Sequence, residues 1–218
     1  MLVDMCFLCL DDSLNFIKLL NMQFLILGLF LFLGTHSVRI FANDWTNSQI
    51  EKRGPAFWKI SYTLLSLIGF VLIIKGYALA QESRVLVWSP PSWTGHITGL
   101  LMLFCFILLA SSKRPKNLIF ATLKHPMIIA VKVWALAHLL ANGSLAGIVL
   151  FGSFLIWAVL DFKSSRKRDV KADSSNQEPA IIANWQGTLP AILIGVGIWA
   201  IFAFYLHRVL IGVQPFMK

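Results

Sequence analysis

Six apolar runs, at 22–40, 57–80, 93–111, 126–141, 145–160 and 189–209, leave this chain little choice of environment. Each is long and nearly free of charge, and most are separated by polar or basic connections. A helix that crosses a hydrocarbon layer of about 30 Å needs about 20 apolar residues, because its backbone groups find no water there. Composition agrees: 13% of residues are charged and the mean hydropathy is +0.73, whereas a soluble domain carries about 25% charge. The pattern predicts an all-α fold, a polytopic membrane helical bundle of about six transmembrane helices. The run 126–141 is short for a crossing, which tilt, shelter by neighbours or a thinned bilayer accommodates.

Residues 1–21 stand apart. They hold Asp4, Asp11 and Asp12 against a single Lys18, and the apolar run 5–10 is too short to span. No basic segment precedes that run, so it is not a signal peptide. Little structure is expected, and the polarity break points to Met22 as the natural start of a domain over 22–218. Cys6-x-x-Cys9 is a single pair without a second one, a chance spacing rather than a redox or metal motif. Cys105 lies inside an apolar run and belongs to the core. Residues 43–55 read as a loop punctuated by Gly54-Pro55. Trp88 and Trp93 around Pro90-Pro91 suit a membrane interface. Residues 118–123 suit a short interfacial helix, and about 162–187 a flexible polar loop.

Lysine and arginine counts give an orientation. The first, third and fifth connections carry Lys52/Arg53, Lys113/Arg114/Lys116 and Lys163/Arg166/Lys167/Arg168; the second has Arg84 and the fourth has none. Positive-inside therefore puts the odd connections in the cytoplasm and both termini outside, which is the periplasm for a bacterial inner membrane. The net charge of +9 is thus topology and not a nucleic-acid face. The lipid bilayer is the expected partner, and no nucleic acid is.

Soluble-enzyme signatures are absent: no GxSxG, HExxH, GxGxxG or P-loop. The acids nearest the spans are Glu51, Glu82, Asp161 and Glu178, no two of them close in sequence. No reaction class follows, and whether the chain is an enzyme stays open. Ionisable groups within membrane helices are functional candidates by default, and 124–143 concentrates them. Pro126 suits the first helical position, with His125 at the N-cap. Asn142-Gly143 stops the helix, with Gly143 as the expected C-cap. His138 then lies roughly 20 Å from His125 and about 140° around the axis, so one metal cannot bind both. Lys132 lies nearly on the face of His125, about 10 Å further in. Topology places His36 and His125 toward the cytoplasm and His96, His138 and His207 toward the other side. A haem held by two imidazoles needs both at one depth. Either set qualifies, and helix-end histidines also serve as interfacial or packing residues. Gly34, two residues before His36, would let a flat macrocycle approach the backbone. Arg39 is placed to meet a propionate or lipid headgroups, and Lys52 and Arg53 lie on the same side.

LGTHSVRI at 33–40, WKISYTLLSLIGFVLIIKGY at 58–77, KHPMIIAVKVWALAHLLANG at 124–143 and LFGSFLIWAVLD at 150–161 resemble the NnrU family. HRVLIGV at 207–213 resembles its C-terminal signature, with His207-Arg208 where the family ordinarily has His-Pro. The resemblance runs from Met22 to the C-terminus except for most of 169–185. It implies an inner-membrane protein associated with nitrite and nitric oxide reduction in denitrifying bacteria. The family is similar to zeta-carotene isomerase, whose haem b is held by histidines in motifs like those around His36 and His125. The resemblance thus implies haem b as cofactor and His36 and His125 as its metal ligands. Arg39, Lys132 and His138, read from their positions in the spans, complete the expected cofactor-binding set, and the resemblance implies respiratory or nitrogen-oxide reductase components as partners. Two other functions remain beside it: an isomerase or redox enzyme acting on a hydrophobic substrate, and a non-enzymatic assembly or transport factor.

Overall fold

The computed structural model describes residues 2–114, 116–174 and 183–216, with side chains over 22–114, 116–171 and 183–216. The Cys6/Cys9 side chains, Pro115 and Glu178 lie outside what is described. The architecture is all-α, without a named strand among the described residues. Its helices are α1 (Leu2–Phe41), α2 (Asn43–Arg53), α3 (Pro55–Glu82), α4 (Thr94–Ser112), α5 (Leu118–Leu123), α6 (Pro126–Ala141), α7 (Leu145–Ser174) and α8 (Trp185–Ile201). A π-helical turn, Phe202–Leu206, then leads into the short α9 (His207–Ile211). Among the described residues, five segments are long and apolar enough to cross a membrane: Met22–Phe41, Pro55–Glu82, Thr94–Ser112, Leu145–Lys171 and Trp185–Ile211. The shorter apolar α6 makes the sixth of the expected runs. At 1.5 Å per residue its 16 residues reach about 24 Å.

The fold divides into two compact units, 1–88 with 144–153, and 89–143 with 154–218. In the first, α1 and α3 pack along glycines. A Cβ added to Gly28 would lie 2.6 Å from the Ile73 nitrogen, and one on Gly69 2.7 Å from the Phe32 nitrogen. One on Gly76 would strike the Leu25 backbone. Close backbone approach through small residues is how membrane helices gain dispersion contact, since lipid tails are as apolar as leucine. Leu25, Leu29, Ile73 and Ala80 fill the seam. Ser144 starts α7: its hydroxyl accepts from the Gly147 N–H (3.1 Å) and from Gln81 Nε2 (3.1 Å).

In the second unit α4 packs against both α6 and α8. The Cys105 thiol donates to the Ala130 carbonyl (3.3 Å), and the Thr98 hydroxyl to that of Ala137 (3.0 Å). Gly195 lets α8 approach Ile107, and the Trp199 indole donates to the Gly99 carbonyl (3.0 Å). Asn117, 0% exposed, ties the corner. Its amide donates to the carbonyls of Ser111 (3.0 Å) and Arg114, and its oxygen caps the Phe120 N–H (2.8 Å). Large apolar side chains point outward instead: Phe30, Ile60, Leu67, Ile156 and Leu193 are more than half exposed, as suits helices whose surroundings are hydrocarbon.

Four local expectations are corrected. The α1 backbone is helical from Leu2, although 1–21 promised little structure; no Gly or Pro interrupts 2–27. Residues 43–53 form α2 and not a loop, with Asp44 in the first turn and Lys52 and Arg53 in the last, where each charge suits the helix dipole. The helix stops at Gly54, whose φ of 84° excludes most other residues. The polar loop expected from about 162 begins later, because α7 continues to Ser174 through a stretch again lacking Gly and Pro. Finally, Asn142 and not Gly143 is the C-cap of α6, in extended conformation with its N–H on the His138 carbonyl.

Candidate functional site

His36 lies in the first unit, in the last turns of α1. Its Nδ1 is 2.7 Å from the Phe32 carbonyl four residues back. A carbonyl only accepts, so Nδ1 carries a proton and Nε2 is the nitrogen that can bear the lone pair. The imidazole stacks on Phe32 (4.3 Å between centroids, 30° between planes) and meets Tyr62 of α3 at 5.1 Å. Gly34 faces open space: a Cβ there meets nothing within 4 Å. Arg39, one turn beyond His36, is exposed.

His125 lies in the second unit, at the N-cap of α6 with Pro126 at the first helical position, as the sequence predicts. The backbone enters it through Lys124 at φ 57°, ψ −40°, with the His125 N–H bonded to the Leu123 carbonyl (2.6 Å). That is a γ-turn of the strained hand. A non-glycine residue held there costs on the order of 1–3 kcal/mol, which the surroundings must offset. Asp169 of α7 meets the ring, its carboxylate oxygens 2.9 and 3.1 Å from His125 Nε2. Asp169 is nearly buried, and Arg166 flanks it at 3.7 Å. The Phe162 ring stands edge-on to His125 at 6.3 Å and takes the Lys132 ammonium over its face at 3.6 Å. His125 and Lys132 are seven residues apart on α6, as Phe162 and Asp169 are on α7. The two contacts therefore run in one antiparallel register.

His138 holds the opposite end of α6, its Nδ1 2.8 Å from the Trp134 carbonyl and its ring 5.4 Å from the Trp134 ring. His207 donates from Nδ1 to the Val213 carbonyl (2.7 Å), beside Phe202. His96 is exposed near Phe216. The structure thus joins Lys132 to the surroundings of His125 through Phe162 and sets His138 apart from both. Sequence reasoning missed Asp169 and Phe162 because it ended the helix at the membrane edge. The matching seven-residue spacing was the signal available, had 161–171 been read as helix. No group of three or more His, Cys, Asp or Glu suited to a metal occurs among the described residues.

Two kinds of ring are therefore presented. His36 offers a tautomer fixed by a backbone carbonyl. His125 contacts a carboxylate through Nε2, with Nδ1 as its other ring nitrogen. Both are recognised ways of orienting a metal-binding imidazole. No curated protein and no solved structure matches the chain. The sequence model of the NnrU protein family matches it over residues 24–215 of 218. By that match, which takes in every span and both histidine motifs, the chain belongs to the NnrU protein family.

Proposed function

We propose that this NnrU protein is an integral inner-membrane protein that binds haem b through histidine and serves nitrite and nitric oxide metabolism. His36 carries the reading: its Nδ1–H is given to the Phe32 carbonyl, which orients the ring with Nε2 as the nitrogen that can bind iron. Family membership supports it. The candidate axial imidazoles are His36 in the first unit and His125 in the second, each judged on its own surroundings. Arg39 is assigned to a propionate, where a guanidinium pairs with a carboxylate in two parallel bonds. Lys132 completes the set toward this cofactor; His138, in the last turn at the opposite end of α6, lies apart from it. Bound haem b would supply a one-electron couple or a gas-binding iron. The chain's own residues orient the imidazoles, His36 through the Phe32 carbonyl and His125 through Asp169.

The reading includes a topology, with Lys52/Arg53 and Lys163–Arg168 in the cytoplasm and both termini in the periplasm. Respiratory or nitrogen-oxide reductase components are the proposed partners. The family match starts at residue 24, which supports a working domain over 22–218 with 1–21 as an extension. Reporter fusions after Arg53 and after Lys167 are expected to give cytoplasmic signals, and a periplasmic signal at either would refute the orientation.

The central test is the visible spectrum of the purified chain, oxidised and dithionite-reduced, in wild type, His36→Ala, His125→Ala and His138→Ala. Wild type and His138→Ala should show a low-spin b-type spectrum; the other two should lose most of their haem while still inserting. If His36→Ala and His125→Ala keep full haem and His138→Ala loses it, the assignment is wrong.

A further inference from the structure

The polar end of α7 has no role in the function above, yet it makes the most specific polar contact to any histidine in the second unit. We propose that Asp169 is the residue that positions His125: it holds the ring through Nε2 and determines which nitrogen the histidine presents. The observations are independent of one another. Both carboxylate oxygens lie within hydrogen-bond distance of Nε2, at 2.9 and 3.1 Å. The two side chains are shielded, 23% and 12% exposed. The backbone leading into His125 is strained at Lys124, so something must hold the residue where it is. A second contact in the same register, Lys132 over Phe162, fixes how α7 is aligned along α6.

An imidazole that donates one N–H to a carboxylate has its orientation fixed and its other nitrogen made more basic. Arg166 lies 3.7 Å from the same carboxylate but is half exposed, a surface pairing that contributes little. The positioning rests on this geometry; its consequence for a cofactor rests on the haem reading above.

The test uses the full-length chain in lipid nanodiscs with Asp169→Asn, Asp169→Glu and, as a control on the same turn, Arg166→Ala. Two measurements are made: haem content with midpoint potential, and the site-resolved rate at which diethyl pyrocarbonate modifies His125, which needs no haem. Asp169→Asn is expected to weaken haem retention by about tenfold or more and to shift the potential, the usual scale for losing such a partner. Asp169→Glu should restore most of it, and Arg166→Ala should change neither. Wild-type haem and potential in Asp169→Asn, when His125→Ala has lost its haem, would overturn the inference and leave the haem reading intact. If the wild type holds no haem, or His125→Ala keeps it, the haem reading fails there and the modification rates decide. A rate at fixed pH that differs between Asp169→Asn and wild type, with Arg166→Ala matching wild type, supports the held ring; equal rates overturn it.

Discussion

Asn117 satisfies three backbone groups from a fully buried position, at the corner where α4 ends and α5 begins. Removing it leaves the Ser111 and Arg114 carbonyls and the Phe120 N–H to find other partners. Asn117→Ala should therefore cost about 2–4 kcal/mol, at roughly 1–3 kcal/mol per orphaned group with partial relief by water. The measurement is the thermal midpoint in detergent, and an unchanged midpoint would mean the knot carries no stability. Histidine positions could be read from the chain alone, because Pro126 and the end of the first apolar run place His125 and His36 at helix ends. Their partners could not. Phe32 lies one turn before His36 and was open to inspection, but nothing distinguishes it from the many phenylalanines of an apolar run. Asp169 lies forty-four residues from His125, and only the fold brings them together.

Hydropathy locates helices where lipid demands them and is silent where it does not. The spans 57–80, 93–111 and 126–141 agree with α3, α4 and α6 to within a few residues. α2 and the far end of α7 are mostly polar, so hydropathy gives little signal there; absence of Gly and Pro was the cue that remained. The α7 extension is testable as an element. Lys167→Pro removes the bond from the Lys167 N–H to the Lys163 carbonyl and clashes with that turn, a penalty of about 3 kcal/mol or more. Hydrogen exchange should then show residues 163–171 losing protection while 145–160 keep theirs. If the wild-type amides of 163–171 already exchange as fast as a loop, the extension is not a helix, and Asp169 is not held where His125 can use it.

At the scale of the molecule the usual distribution of side chains is reversed. Glycines sit where backbones meet, at Gly28, Gly69 and Gly76 in one unit and Gly195 in the other. Phenylalanine, leucine and isoleucine form the outer faces. The overall class was legible because this reversal appears directly in composition; which glycines mark a seam was not, because Gly34, Gly152 and Gly197 occur in the same runs and meet nothing. The reversal implies a particular tolerance to genetic change. In a saturation-mutagenesis screen scored by membrane accumulation, Phe30, Ile60, Leu67, Ile156 and Leu193 should accept nearly any apolar residue and reject charge. Gly28, Gly69, Gly76 and Gly195 should reject even leucine. Equal tolerance at the two sets would refute the seams. For such a chain the least forgiving codons are those for its smallest residue, and sequence drift among relatives should run fastest through its bulkiest ones.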